Sequence, residues 1–309
     1  MSRYKLRANY DIENIDSQKM DGTVIVDVPM LSNGELNYGL SHIKKKLYEE
    51  NVYPSEIGFD IMSLATMVYM ADTRIERVVH RQDSWTREIE LEIPVSNVEI
   101  WDSQIRTVER MLKFLTGDLW KITLSSRAWQ FNNLEEVREK SNKYDEVSLF
   151  SGGMDSLIST INLMENKKNT LLISHAGEGL TKNAQKNIVN KFDLLYPDVL
   201  HTWLDLWMVF PRDYIPAGGN DNNTRSRAFL FIGYALFAMT GMDNINELLV
   251  PENGLIALNV PLDETRVGSF STRTTHPFYL SLWNELLVGL GLNLSVKNPY
   301  WNKTKGEMA

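Results

Sequence analysis

The chain predicts an α/β protein in two parts, an α+β unit followed by a doubly wound parallel sheet of five strands. Three observations carry that expectation. From Asp145 onward short apolar runs alternate with helical patterns, which implies right-handed crossovers between parallel strands. The first such unit reads EVSLFSGGMDS over Glu146–Ser156, a strand broken by glycines and followed at once by a helix. Before residue 140 the pattern is different, with the strictly alternating REIELEIPV of Arg87–Val95 as its clearest strand.

In the first part, residues 1–140, Arg3–Asn9 and Thr23–Val28 predict strands. Leu36–Asn51 and Ser55–Ala71 predict helices, because Leu40, Ile43 and Leu47, then Ile61, Leu64 and Val68, recur at helical spacing. The alternation of Arg87–Val95 predicts a half-buried antiparallel strand. Val98–Leu115 predicts one helix and Asp118–Leu124 a strand, and Asn132–Tyr144 reads as a polar surface connection. No catalytic constellation falls in this part.

In the second part, residues 141–309, the strand of Val147–Phe150 is followed by strands at Thr170–Ser174, Leu200–Trp207, Ile245–Val250 and Leu292–Val296. Helices are predicted over Thr181–Leu195, Arg225–Gly241 and His276–Leu290, with a long polar loop at Pro211–Asn223 whose Ala217–Asn223 stretch reads as flexible. Ligands of such sheets bind beyond the C-terminal strand ends, which selects the loops as the site.

The first loop holds Ser151, Gly152, Gly153, Met154, Asp155 and Ser156. The glycines let the main chain approach an anion at a helix N-terminus, and Asp155 offers an oxygen to magnesium. With no lysine and no Walker spacing, this is not a phosphoryl-transfer loop. After the second strand, His175 and Gly177 flank a small-residue turn suited to adenine and ribose, or simply to turn geometry. Arg225 and Arg227 stand where a helix begins and oppose its dipole, so an anion nearby, or an acidic side chain, is expected to offset them. Glu252 and Asn253 follow the fourth strand and suit a metal or the N–H groups of a heterocycle. The loop Thr265–His276 carries Arg266, Ser271, Thr272, Arg273 and Thr274, a set suited to an anionic, hydrogen-bonding substrate.

Composition narrows the classes. With 309 residues, 43% hydrophobic and 23% charged, the chain can bury a substantial core. A net charge of −8 disfavours nucleic acid as the main partner. There are 0 cysteines, which removes disulfides, thiol nucleophiles and Cys-ligated zinc, and the 5 histidines show no metal-ligand spacing. No apolar run approaches the roughly 20 residues of a membrane span, and no signal-peptide core opens the chain. It reads as a soluble cytoplasmic protein.

SGGMDS resembles the pyrophosphate loop of the PP-loop (HUP-like) ATPases, which cleave ATP to AMP and pyrophosphate. Taken with the TRSR helix entry, VPENGLIALN, GSFSTRTTHP and NPYWNKTKGEM, the chain is similar to QueC-like proteins, relatives of 7-cyano-7-deazaguanine synthase. It looks most like the QatC-type members of the Qat anti-phage defence system, whose long N-terminal extension residues 92–120 resemble. The resemblance implies a ligase that uses ATP and Mg²⁺ to adenylate a 7-deazaguanine carboxylate and passes it to an amine. That amine is ammonia or, in an alternative, a protein partner encoded in the same operon; a non-catalytic nucleotide-binding subunit is the other alternative. It casts Asp155, Arg225, Arg227 and Arg273 as catalytic residues. It gives Ser151–Ser156, His175 and Gly177 to the nucleotide, and Glu252, Asn253, Arg266 and Ser271–Thr274 to the substrate. The synthase family ends in a four-cysteine zinc segment that a cysteine-free chain cannot build, so no zinc is expected.

Overall fold

The computed structural model describes residues 3–82, 85–131, 142–176, 178–221, 225–258 and 273–309. The first part runs β1 (Arg3–Asn9), β2 (Asp16–Met20), β3 (Thr23–Pro29), β4 (Leu31–Ser32) and β5 (Glu35–Leu36). Helices α1 (Leu40–Glu49), α2 (Glu56–Arg74) and α3 (Arg77–His80) lead to β6 (Glu88–Val95), then α4 (Val98–Asp102), α5 (Ile105–Thr116) and β7 (Leu119–Ser126). The second part runs β8 (Glu146–Leu149), α6 (Met154–Glu165), β9 (Thr170–Ala176), α7 (Gly179–Leu195) and β10 (His201–Trp207). It continues with α8 (Arg227–Met239), β11 (Glu247–Leu249), α9 (Gly254–Ala257), α10 (Pro277–Gly289), β12 (Ser295–Lys297) and α11 (Lys305–Met308).

The second sheet is the expected five-stranded parallel one, ordered β10-β9-β8-β11-β12. Both faces are covered, which is why the interior strand β9, TLLISHA, is buried at every position. Phe150, Leu172, Val189 and Phe192 pack with Leu157 and Ile161 on the α6–α7 side. On the opposite side α8, an almost wholly apolar helix, lies over β8 and β9. The order reverses direction between β8 and β11, so the loops leaving those two strands open side by side.

The first sheet is mixed, ordered β2-β3-β1-β6-β7, and one expectation is corrected here. β6 is parallel to both neighbours, β1 and β7; the only antiparallel edge of this sheet among the described residues is β2 against β3. The alternation of β6 is real, with Ile89, Leu91, Ile93 and Val95 buried. It reports one open face, and the pairing direction is set instead by the helical crossover of α4 and α5. The open face is held by charge: Lys5 Nζ lies 3.2 Å from Glu90 and 2.9 Å from Glu92. The helix expected over Val98–Leu115 is two, α4 capped by the Asn97 side chain and α5 beginning after the turn at Gln104.

The hydrophobic core crosses the boundary between the parts. α2 carries Ile61, Leu64, Ala65 and Val68 into one continuous cluster with Ile232, Leu236 and Phe237 of α8. The two helices meet closely at Gly233, where an added Cβ would stand 2.8 Å from the Ala65 Cβ. The polar loop after β10 is also fixed to the first part. Tyr4 donates to the Ala217 carbonyl at 2.7 Å and the Glu76 amide to that of Gly218 at 2.7 Å. No described helix is long and apolar enough to cross a membrane.

A buried ion network joins the parts beneath this loop. Arg87 is 1% exposed and its guanidinium bridges Asp72 and Asp118, while Arg77 grips Asp118 through both terminal nitrogens at 2.6 and 2.7 Å. Asp72 in turn accepts the Ser226 amide at 3.1 Å, at the entry to α8. Neutralising Asp118 leaves two buried guanidiniums to share the charge of Asp72, with Arg77 losing its bidentate partner. Asp118→Asn is therefore expected to lower the unfolding free energy by about 3–5 kcal/mol in urea melts. A loss below about 1 kcal/mol would show the network to be solvated and dispensable.

Candidate nucleotide site at the sheet switch point

β8 ends at Leu149, and Ser151–Gly153 turns the chain into α6. Gly152 takes φ +81°, and a Cβ there would also press on Gln185 Cγ at 3.0 Å, so only glycine fits without strain. Gln185 of α7 braces the turn by donating from Nε2 to the Ser151 carbonyl at 3.0 Å. Ser151 Oγ accepts the Gly153 amide at 3.2 Å, and Ser156 Oγ donates to the Gly153 carbonyl at 2.9 Å. No side chain caps α6, so its first-turn N–H groups are offered to an anion.

Across the switch point, β11 delivers Pro251-Glu252-Asn253. Asn253 caps α9 by accepting the Ile256 amide. It also donates twice to Asp155 Oδ2, from its own amide at 3.0 Å and from Nδ2 at 2.7 Å. Asn298, just beyond β12, holds the Glu252 backbone from the other side, accepting its amide at 3.2 Å and donating to its carbonyl at 2.7 Å. The Glu252 and Asp155 carboxyls act on each other, and their titrations are driven in opposite directions. Burial, then Asp155, push Glu252 up to about 8. Burial alone would raise Asp155 too, but the Glu252 carboxyl and hydrogen bonding by Asn253 and Lys305 bring it below the ordinary carboxylate range. One proton is thus held on Glu252 and the negative charge on Asp155.

Between these two loops and the start of α8 lies a cleft of about 230 Å³. Ser151, Ser156, Glu252 and Thr274 line it, with Phe231 and Ile232 forming an apolar wall and Arg227 a cationic one. Arg227 is aimed by His175: its Nε donates to His175 Nδ1 at 3.3 Å and its Nη2 to the His175 carbonyl at 2.8 Å. The His175 ring is fully buried. Burial first, then Arg227, push its pKa down to about 4, so the ring is neutral and its Nε2–H is left for the Met208 carbonyl at 3.4 Å.

The sequence-selected residues therefore divide. Ser151, Ser156, Glu252, Arg227 and Thr274 line the cleft, while Gly152, Gly153 and Met154 belong to the turn and helix start beside it and Asp155 and Asn253 are joined behind it by hydrogen bonds. His175 acts behind Arg227 instead of facing a ligand. Arg225 lies with its guanidinium over Trp85 at 4.5 Å, near Asp72, Asp118 and Asp221. The anion expected at the start of α8 is thus supplied by the protein, through Asp72. Arg273 donates to the Phe114 carbonyl at 2.8 Å and stacks over the Phe114 ring, which holds it against the end of α5. Gly177, Arg266, Ser271 and Thr272 lie outside the described residues. Sequence reasoning missed Gln185, Asn298 and Lys305. Of these Asn298 and Lys305 had a signal, since both lie within the NPYWNKTKGEM segment, whereas Gln185 had none.

The donor set suits a nucleotide and a divalent cation. Asp155 supplies a carboxylate, Glu252 becomes one when a cation displaces its proton, and Asp155 Oδ1 is buried with no aligned hydrogen bond. Among the described residues no group of three or more His, Asp or Glu gathers as a metal cage. A cation here would take its remaining ligands from phosphate and water, as magnesium commonly does. In comparisons with protein-family models, curated proteins and solved structures, nothing matches this chain.

The carboxyl pair sets a pH dependence. Folding raises Glu252 from 4.5 to about 8, so its protonated form contributes stability that is whole below pH 4.5 and lost as pH climbs through about 8. The urea midpoint of the ligand-free protein is expected to fall between about pH 6 and about pH 9, and Glu252→Gln to flatten that fall. An equal slope in both proteins would place the titration elsewhere.

Proposed function

We propose that the protein is an adenylate-forming ligase of the PP-loop type, which uses ATP and Mg²⁺ to activate the carboxylate of a 7-deazaguanine for transfer to an amine. The observation that carries this reading is the pairing of the glycine turn at Ser151–Gly153 with the Asp155–Glu252 carboxyls at one sheet switch point, opening on a cleft walled by Arg227. The SFSTRTTHP and PENG resemblances to QueC-like proteins supply the substrate class and the anti-phage setting.

In this reading the β- and γ-phosphates lie against the first-turn amides of α6 and the Ser151 and Ser156 hydroxyls. Asp155 and Glu252 would hold the divalent cation, which neutralises charge growing on the departing pyrophosphate. Arg227, held by His175, faces the α-phosphate and the substrate carboxylate. A carboxylate oxygen attacks the α-phosphorus, the bond from that phosphorus to the bridging oxygen breaks, and pyrophosphate leaves. The amine nitrogen then attacks the acyl carbon and AMP leaves with the bonding pair. The activation is needed because oxide is not a viable leaving group from a carboxylate, whereas AMP is. Positioning and fixed charge supply most of the rate.

The test is pyrophosphate release from ATP and Mg²⁺, with and without 7-carboxy-7-deazaguanine. Release is expected only with the carboxylate present, and Asp155→Asn is expected to lower it by about a hundredfold or more. ATP binding without release under either condition would mark the chain as a non-catalytic nucleotide binder.

A further inference from the structure

The last helix brings a second cationic group to Asp155, the neighbour in sequence of the cleft-lining Ser156. Lys305 Nζ stands 3.1 Å from Asp155 Oδ1, the oxygen that Asn253 does not use. The backbone beneath it is fixed. Thr304 and Glu307 close a reciprocal capping box on α11, the Gly254 amide donates to the Lys303 carbonyl at 2.7 Å, and Tyr300 accepts from Asn162 of α6 at 3.1 Å. The Lys305 side chain is itself about half exposed, 51%, whereas the Asp155 side chain is 8% exposed. An anchored backbone with a long, half-solvated cation at its tip can redirect the charge over several ångströms without unfolding anything.

We propose that Lys305 is a phosphate ligand of this site: it rests on Asp155 in the free protein and moves to the polyphosphate when nucleotide enters. The inference rests on the nucleotide reading above. The glycine turn contains no lysine, so cations for the phosphates must come from elsewhere in the fold. Arg227 reaches the cleft from the α8 side, and Lys305 stands against Asp155 in the first turn of α6. Its ion pair with Asp155 has a second consequence. A bound ammonium and a divalent cation compete for Asp155, so the arrival of phosphate frees the carboxylate by offering Lys305 a stronger anion. Lysine suits this handover better than arginine, being a compact point charge on a flexible stem.

Calorimetric titration with inorganic pyrophosphate, ATP and AMP separates the possibilities, using the full chain, Lys305→Met and Lys305→Arg. Lys305→Met is expected to weaken pyrophosphate and ATP binding by roughly tenfold to a hundredfold while leaving AMP affinity unchanged, because AMP lacks the β- and γ-phosphates. Lys305→Arg should recover most of the loss. A residue that only neutralises Asp155 would instead shift the melting temperature and weaken all three ligands alike, or none. Pyrophosphate affinity unchanged in Lys305→Met overturns the inference while the nucleotide reading stands. If the unaltered chain binds neither ATP nor pyrophosphate, the nucleotide reading fails and this inference with it.

Discussion

The double hydrogen bond from Asn253 to the Asp155 carboxylate is the constraint on which the rest of the site depends. It spans the point where the parallel sheet reverses its winding, and it ties the first turn of α6 to the chain leaving β11. A buried carboxylate needs such donors, since without them its charge would be expelled by protonation. Once Asp155 is held in the charged state, its neighbours follow. Glu252 keeps its proton and Lys305 is drawn in from α11, while Gln185 independently braces the glycine turn ahead of α6. Two loops, β8–α6 and β11–α9, thereby become one surface.

The first part of the chain contributes to that surface indirectly. α2 and α8 lie packed together between the two sheets, so the position of α8, and with it Arg227, is set by the N-terminal sheet. Asp72 of α2 accepts the amide of Ser226, one residue before Arg227, and Arg87 and Asp118 hold Asp72 in place. His175 of β9 then fixes the direction of the guanidinium. The cationic wall of the cleft is built from three distant segments, and none of the supporting residues touches the cleft itself.

How much of this could be read from the sequence depends on how local the governing physics is. The five parallel strands were legible because burial on both faces produces unbroken apolar runs such as that of β9. The glycine turn was legible because positive φ and close approach demand particular residues at fixed spacing. The direction of β6 was not, since alternation reports an open face and says nothing of its neighbours' polarity. β2, DSQKM, has no buried position at all and so left no pattern to find. The roles of the arginines were also hidden. Arg225, Arg227 and Arg273 look alike in sequence, and only the partners Trp85, His175 and Phe114, brought in by tertiary packing, tell them apart. The Asp155–Asn253 contact joins residues 98 apart, beyond the reach of any local pattern.

The central claim is spatial: the β- and γ-phosphates of ATP belong over the turn Ser151–Gly153, between Arg227 and Asp155. It is tested most directly by a crystal structure with α,β-methylene-ATP and Mg²⁺, in which the bond to be broken cannot react. The account predicts the terminal phosphates within hydrogen-bond reach of the α6 first-turn amides and the base seated toward Phe231 and Ile232. Nucleotide bound at another surface, or a cleft left without nucleotide at saturating concentration, would contradict it.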